Sequence, residues 1–413
     1  MAKRNKTNQP VAPPRKDEAW EQLRVWLSQA QPKRKNWETL CRELRAEVAR
    51  VLGERAPKQH VRYFARAVKE LLAQTPAAES QAESGALHLA LGKAYEAYGE
   101  AKHALAAFQA ALSHSEGREQ QLDKAEALRW IGHLRANQNQ WREAAQAYEE
   151  SLQVCVRAGE VSAAAHAQNS LAILRFEQGE LEQAAQDWES ALEQAEQAQD
   201  TALVGMIYNN LGALANVQGR REQALAYYLD SIPYLEKHGE MRTLAGTYQN
   251  LGMTHADAAR WAEAGKSYEK GARLAQQLGD VPLQTLIKLN RVELYLGLED
   301  VPVAESLCRQ VLQSYTQLND RLGQADAHKF LGVIHARQKA WKPAQTHFEK
   351  SVRLARKFQS PLCEAEARFE YGRMLKQKGA AKTAHKHLQQ ALVLFTQLNA
   401  AAEIEKVKQE LAG

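Results

Sequence analysis

The sequence of 413 residues predicts an all-α solenoid of about eight helix hairpins, on the basis of two regularities. The residue four positions after a recurring alanine is aromatic in six of eight repeats, and the residue seven positions after it is small in all but one. Offsets of four and seven lie on one helix face, so each repeat contains a helix packed by small residues around a ring. A fixed period indicates a repeat protein rather than one globular core. The alanines lie forty residues apart and form an alanine ladder of Ala104, Ala144, Ala184, Ala224, Ala264, Ala304, Ala344 and Ala384.

A second helix precedes the ladder helix in each repeat. Twelve positions before the alanine, glycine occurs in six of the eight repeats, as at Gly212 and Gly252. Glycine within a helix costs about 1 kcal/mol relative to alanine, so its recurrence requires a packing reason. We expect the ladder helix to cross there so closely that a larger side chain would hold the two helices apart. Each repeat is therefore predicted to be an antiparallel helix pair.

Composition and charge limit the classes to which this protein can belong. No apolar stretch approaches the roughly 18 residues of a membrane span, and the start lacks the apolar run of a signal peptide, so we expect a cytoplasmic protein that does not contact a membrane. The four cysteines are far apart, which argues against a disulfide framework or a metal site. Residues 1–75 hold 17 Lys and Arg against 8 Asp and Glu, whereas the remainder holds 37 against 41. The basic character therefore belongs to the N-terminal segment.

Five segments are predicted along the chain. The first is too polar and too interrupted by proline to pack a core, and the last places Ile404, Val407 and Leu411 on one helix face. Solenoids need such terminal helices to cover the apolar side of their last repeat. The segments are a basic disordered tail (1–18), a small basic helical region of three short helices (19–75), a polar linker (76–84), eight repeats (85–400) and a C-terminal capping helix (401–413).

One repeat shows the complete motif, which consists of Leu211-Gly212, Gly219, Ala224, Tyr228 and Ser231. This motif resembles the tetratricopeptide repeat family, in the forty-residue form found in kinesin light chain and in bacterial peptide-sensing regulators of the Rap type. The resemblance implies a right-handed superhelix whose first helices line a concave groove. It also implies partners that bind there as extended peptides or docked helices.

The repeat at 281–320 departs from the motif. Arg291 and Val292 replace the Leu-Gly pair, and Pro302 falls where the other repeats have their turn between helices. Because proline lacks an N–H and restricts its neighbours, we expect a local kink or altered stacking in this repeat. Ala304 keeps the register through it.

Polar side chains recur on the predicted first helices, fourteen and fifteen positions before the ladder alanine. The resemblance implies that asparagines at such places hydrogen-bond the backbone of a bound peptide, since a side-chain amide both donates and accepts. The alternative is that these side chains bond neighbouring helices to each other. The candidates are Arg129, Asn169, Asn209, Asn210, Gln249, Asn250, Asn290 and Lys329.

Two clusters of positive charge are further candidate sites. The first helices of the last two repeats carry a group that suits an acidic side chain or a C-terminal carboxylate, namely Lys329, Arg337, Arg373 and Lys376. One face of the third short helix carries a basic patch that suits the phosphates of nucleic acid or an acidic protein, namely Lys58, Arg62, Arg66 and Lys69. For both clusters, ordinary solvated charge is the alternative interpretation.

Catalytic motifs are absent from the sequence. The 13 histidines are scattered without metal-ligand spacing, and the recurrent glycines belong to helix contacts rather than to a phosphate-binding loop. We therefore expect a non-catalytic scaffold or adaptor that binds a protein partner and uses no cofactor and no metal. Two alternatives stay open: a regulator of the Rap type that is controlled by a peptide ligand, and a scaffold that contacts nucleic acid through the basic N-terminal segment.

Overall fold

The computed structural model describes residues 16–29, 43–44, 46–48, 50, 57–74, 80–97, 99–113, 121–398 and 400–412. All regular elements in these ranges are α-helices and no strand occurs in them, which confirms the all-α prediction. Most of the predicted tail, most of the second short helix and the first half of the predicted linker lie outside the described residues.

The helices form two compact units, one up to Leu203 and one from Val204 onwards. In the first unit lie α1 (Lys16–Gln29), α2 (Pro57–Gln74), α3 (Ser80–Ala97), α4 (Ala101–Ser113), α5 (Gln121–Ala136), α6 (Trp141–Ala158), α7 (Val161–Glu177) and α8 (Leu181–Gln197). The second unit takes in most of α9 (Thr201–Val217), followed by α10 (Arg221–His238), α11 (Met241–Asp257), α12 (Trp261–Gln277), α13 (Val281–Gly297), α14 (Val301–Gln317), α15 (Arg321–Arg337), α16 (Trp341–Lys357), α17 (Pro361–Gln377), α18 (Ala381–Gln397) and α19 (Ala401–Ala412).

Consecutive helices pack as hairpins within each unit. In the first unit the pairs are α3/α4, α5/α6 and α7/α8, and in the second they include α11/α12, α13/α14, α15/α16 and α17/α18. Second helices also pack against the first helix of the following hairpin of the same unit, as α4 does against α5 and α12 against α13. This arrangement of nearest-neighbour contacts is that of a helical repeat solenoid.

The alanine ladder lies at the contact between the two helices of each hairpin. All eight ladder alanines are at most 3% exposed. A Cβ atom added at Gly212 would lie 2.6 Å from Cε1 of Tyr228, and one at Gly252 would lie 2.5 Å from Cε1 of Tyr268. The ring four positions after the alanine therefore presses on the backbone of the preceding helix, which confirms the reason predicted for the glycines.

The repeat at 281–320 keeps the hairpin despite its altered motif. Val292 and Cys308 are both fully buried and share one core cluster, so a larger residue at the glycine position is matched by a smaller one at the ring position. Pro302 lies in the first turn of α14, where a backbone N–H has no acceptor within the helix, so proline removes no helical hydrogen bond. The expected interruption at Pro302 is therefore wrong, and α14 has 17 residues like its neighbours.

Both ends of the chain contribute to the core of an adjacent hairpin. Leu23 of α1 and Phe64 and Val68 of α2 belong to the same buried cluster as Leu87 of α3. At the other end, α19 buries Val407 against α18. Helix α3 begins at Ser80, so the second half of the predicted linker is helical, because Gln81, Ala82 and Glu83 favour helix.

Candidate functional site

The second unit contains a cavity of about 420 Å³ on its first helices. Helices α13, α15 and α17 supply most of its wall, and α19 adds Glu403 and Lys406. First helices of successive hairpins lie side by side, so residues forty positions apart are neighbours on one surface. We call this space the α13–α17 cavity.

An apolar wall forms one part of the α13–α17 cavity. It consists of Trp261, Leu296, Phe330, Val333 and Phe369. The Trp261 ring fits there because the nearby residue of α13 is Gly297, whose Cβ, if present, would lie 2.6 Å from Cζ2 of the indole. An apolar wall beside a few polar groups is typical of a ligand-binding site.

Lys329 is the most enclosed basic group of the cavity. Its ammonium group forms ion pairs with Glu366 and, at 3.6 Å, with Oδ1 of Asp326. Burial alone would lower the pKa of Lys329, but the carboxylates of Glu366 and Asp326 outweigh burial and raise it. Lys329 therefore stays charged, and that charge is compensated within the protein.

The other predicted carboxylate-binding cations also have partners within the protein. Arg373 Nε donates to Oε1 of Glu410 at 3.2 Å and Arg373 Nη1 donates to Oε1 of Glu370 at 3.1 Å. Lys376 Nζ donates to the backbone oxygen of Glu410 at 2.8 Å, and Arg337 donates to the backbone oxygen of Leu296. An acidic ligand at this place would have to compete with acceptors that the chain already supplies.

Glu293 differs from these groups because it forms no hydrogen bond or ion pair with any described residue. Its side chain lines the cavity and is reached by solvent. The surrounding protein atoms nevertheless raise the pKa of Glu293 by desolvation, a shift that Lys329 opposes and that Asp257, Glu366 and Glu370 reinforce. Burial likewise raises the pKa of Asp326. Desolvation, reinforced by neighbouring carboxylates, thus makes the ionised form of Glu293 less stable in this cavity than in water.

The predicted asparagine sites lie on first helices, where two of them bond other parts of the protein. Asn169 Oδ1 accepts a hydrogen bond from Trp188 Nε1 at 3.0 Å, within the α7/α8 hairpin. Asn209 Oδ1 accepts one from Thr247 Oγ1 at 3.0 Å, which joins α9 to α11. These bonds are of the kind that the alternative interpretation describes.

The remaining members of that set have varied surroundings. Asn209 Nδ2 donates to Oδ1 of Asn210 at 3.4 Å, and Gln249 Nε2 lies 3.2 Å from Sδ of Met253. The backbone oxygen of Asn250 accepts a hydrogen bond from Thr254 Oγ1 at 3.0 Å. Arg129 lies 3.6 Å from Oε1 of Glu126, and Nδ2 of Asn290 is buried without a hydrogen-bond partner. Of the predicted binding residues, the structure brings Lys329, Arg337 and Arg373 together in the α13–α17 cavity, with Lys376 beside them.

The predicted basic patch lies on α2 in the first unit. Arg62, Arg66 and Lys69 are exposed on one face of that helix, while the side chain of Lys58 lies outside the described residues. This patch is remote in sequence from the cavity and shares no residue with it. Its role as a binding surface stays a prediction.

Sequence reasoning missed Glu293 and the aromatic wall. Glu293 lies eleven positions before its ladder alanine, where the neighbouring repeats have Met253, Val333 and Arg373. A carboxylate at a position that is apolar in the two adjacent repeats, as Met253 and Val333, was a signal available in the sequence. The contribution of Trp261, from the start of a second helix, had no comparable signal.

Successive hairpins that place their first helices around one cavity define a helical-repeat interaction scaffold. The family model of the tetratricopeptide repeat matches residues 283–357. This match supports the resemblance to the tetratricopeptide repeat that the motif around the alanine ladder indicated.

Solved structures share this fold at low sequence identity. The apo form of the quorum sensor NprR from B. thuringiensis has a TM-score of 0.63, with 14% identity over 82% of this chain and 94% of that chain. Aspartyl phosphate phosphatase F from Bacillus subtilis has a TM-score of 0.53, with 16% identity over 83% and 95%. A Rap protein in complex with competence and sporulation factor has a TM-score of 0.53, with 17% identity over 83% and 96%. At such identities the similarity shows the fold alone.

No curated protein matches this sequence at a significant level. Among the helices of the described ranges, none is long and apolar enough to cross a membrane. The described residues also contain no group of three or more His, Cys, Asp or Glu side chains placed to hold a metal ion.

Proposed function

We propose that this protein is a non-catalytic scaffold or adaptor that holds a segment of a protein partner in the α13–α17 cavity. One observation supports this proposal most directly: the unpaired carboxylate of Glu293 shares the cavity with the rings of Phe330 and Phe369. A segment in extended or helical form binds such a surface by placing one side chain on the apolar wall and a neighbouring polar side chain on the charge.

The charges favour a basic rather than an acidic ligand group. The cations Lys329 and Arg373 are already paired with carboxylates, whereas Glu293 is not. A Lys or Arg side chain beside Glu293 would compensate its charge. We therefore propose that the bound segment carries a basic residue next to an aromatic or aliphatic one.

A designed peptide series tests this proposal on the full chain. Fluorescent peptides that pair Leu with Lys, with Glu or with Gln would be titrated by anisotropy. The Lys peptide should bind best, and Glu293→Gln should weaken its binding by about tenfold, the loss expected for one charge-assisted contact. Phe369→Ala should weaken the binding of all three peptides, because it removes part of the apolar wall that their Leu side chain contacts.

The matched control is Glu236→Gln, which makes the same charge change at an exposed position of α10 outside the cavity. It should leave the binding of every peptide unchanged. Preferential binding of the Glu peptide, or equal loss of Lys-peptide binding in Glu293→Gln and Glu236→Gln, would contradict the proposal.

The contacts of α19 support a second candidate function, a regulator controlled by a peptide ligand. Glu403 and Lys406 of α19 line the cavity, and Glu410 holds Arg373 and Lys376 of α17. A ligand in the cavity would therefore contact α19 and change its hold on α17. Small-angle scattering and amide exchange of α19, with and without the Lys peptide, distinguish a switch from a rigid scaffold, since a rigid scaffold changes in neither measurement.

A third candidate function, contact with nucleic acid, depends on the exposed basic face of α2. Arg62, Arg66 and Lys69 suit the phosphates of a nucleic acid, and such binding falls steeply with salt. Binding of duplex or single-stranded DNA that collapses with salt and is lost in the combined Arg62→Gln, Arg66→Gln and Lys69→Gln variant would support it. Absence of binding at low salt would exclude it.

A further inference from the structure

A second cavity, of about 500 Å³, lies in the same unit and shares no wall residue with the first. The second helices α16 and α18 supply its sides, and α17 supplies Arg368 and Tyr371. We call it the α16–α18 cavity. Nothing in the proposed peptide binding uses these residues.

The floor of the α16–α18 cavity is a buried and ordered polar network. Arg368 is 3% exposed, and its Nε donates to Oε1 of Glu364 at 2.7 Å. Its Nη1 donates to Oε1 of Gln390 at 2.5 Å and lies 3.3 Å from Nδ1 of His387. Because a guanidinium group only donates, Nδ1 of His387 must accept, and the ring proton therefore resides on Nε2. His387 thus has one N–H donor left for another acceptor.

Positive charge exceeds negative charge around this cavity. Arg356 and Arg368 share the single carboxylate of Glu364, and Glu349 is engaged by Tyr371 and Gln345. Two further cations, Arg353 on α16 and Lys386 on α18, are exposed and have no carboxylate partner among the described residues. Both line the cavity, from different helices of its wall.

The titration of His387 agrees with this excess of positive charge. Burial, together with the cations Arg368, Lys386 and Arg356, lowers the pKa of His387 to about 4, against the opposing effect of Glu349. The ring contacts Tyr371 at a centroid distance of 4.3 Å, so it is held in place. A neutral imidazole with an N–H donor among these cations is a site where an anion gains stabilisation.

We propose that the α16–α18 cavity binds a phosphate monoester, with Arg353 and Lys386 as its principal cations and Nε2–H of His387 as an additional donor. A dianion compensates both unpaired cations, whereas a monocarboxylate compensates only one of them. Arginine is suited to the role, since its planar group donates two parallel hydrogen bonds to a phosphate. The volume leaves room for the group that carries the phosphate.

Calorimetric titration of the full chain with inorganic phosphate, O-phosphoserine peptide and acetate tests this site. Both phosphates should bind, and acetate should bind more weakly by at least about tenfold. Arg353→Gln and Lys386→Gln should each weaken phosphate binding by about tenfold. Because both side chains are exposed, both variants should fold, which circular dichroism would check. Lys342→Gln, on α16 but outside the cavity, is the charge-matched control and should bind like the unaltered chain.

A second readout locates the anion. NMR titration, with His387→Gln to identify the signal, should show that phosphate raises the pKa of His387 by about one unit, since an anion favours the imidazolium form. Tighter binding of the peptide than of free phosphate would indicate a phosphorylated protein as the source, and equal binding would indicate a small phosphorylated molecule. Equal affinity for acetate, loss of binding in Lys342→Gln to the same extent as in Arg353→Gln, or an unmoved His387 signal would overturn the proposal.

Discussion

Replacing two helical glycines by alanine separates the steric role of glycine in the ladder contact from its cost in a helix. A Cβ atom at Gly212 would lie 2.6 Å from Cε1 and 2.7 Å from Cδ1 of Tyr228. A Cβ atom at Gly246, in α11 of the same unit, would meet no heavy atom within 4 Å. Both glycines lie in helices with ordinary backbone angles, so alanine is conformationally acceptable at both. Gly212→Ala and Gly246→Ala therefore differ mainly in the contact with Tyr228.

The expected difference in free energy of unfolding follows from these contacts. Each substitution gains up to about 1 kcal/mol from helix propensity, and this gain cancels when the two variants are compared. Gly212→Ala alone also overpacks a buried ring, which costs about 1–3 kcal/mol. Tyr228 is 1% exposed and has no open space to move into. We expect Gly246→Ala to stabilise the protein slightly and Gly212→Ala to be less stable than Gly246→Ala by about 1–3 kcal/mol.

Urea unfolding followed by far-UV circular dichroism measures this difference. The midpoints are comparable where both variants keep the slope of the unaltered chain, since a changed slope indicates altered cooperativity. A Gly212→Ala variant as stable as Gly246→Ala would refute the steric account of the glycine. Destabilisation by both variants would refute the account of Gly246 as an open position.

Three further predictions concern packing, pH and the C-terminal helix. Cys308→Phe should destabilise the protein by about 1–3 kcal/mol, because Val292 occupies the space that the phenylalanine ring would need. Adding Val292→Gly should recover part of that loss. Additive effects of the two substitutions in a double-mutant cycle would contradict this compensation between residues 292 and 308. Burial lowers the pKa of His328 and His347 to about 4 from 6.5, so the unfolded state binds more protons than the folded state between these pH values. The free energy of unfolding should therefore be highest above pH 6.5 and should decline toward pH 4. His328→Asn should flatten that decline in urea unfolding at several pH values, and an unchanged decline would count against this prediction. Glu410→Gln should speed amide exchange in α19 but not in α15, because it removes the contacts of Glu410 with Arg373 and Lys376 on α17. Uniform acceleration in both helices would show that these contacts do not hold α19 specifically.

The hairpins could be predicted from the sequence because their determinants are close together along the chain. A ladder alanine, the ring four positions later and the glycine twelve positions earlier fall within one repeat, as Gly212, Ala224 and Tyr228 do. The prediction failed where a local rule was applied without its position in the helix. Pro302 was expected to interrupt a turn, but proline in a first turn removes no hydrogen bond.

The chemistry of the cavity could not be predicted in the same way, because it depends on which charges meet across repeats. The sequence predicts Lys329 to be an unpaired cation, yet it forms an ion pair with Glu366 of the next repeat. The same prediction for Arg373 fails, because Arg373 forms an ion pair with Glu410, whose position depends on how α19 packs after the last hairpin. Pairings between separate helices determine the net charge of a surface, and a single repeat contains no information about them.

The residues proposed to bind a partner lie at positions that the motif leaves variable. Eleven positions before the ladder alanine, Glu293, Val333 and Arg373 occupy equivalent places and line one cavity. None of these three is a ladder, ring or glycine position, so their chemistry differs between repeats while the hairpin contact stays the same. In the proposed peptide binding, the selectivity of the cavity comes from residues that are equivalent in the repeat but different in chemistry, while the alanine ladder keeps them at a constant spacing.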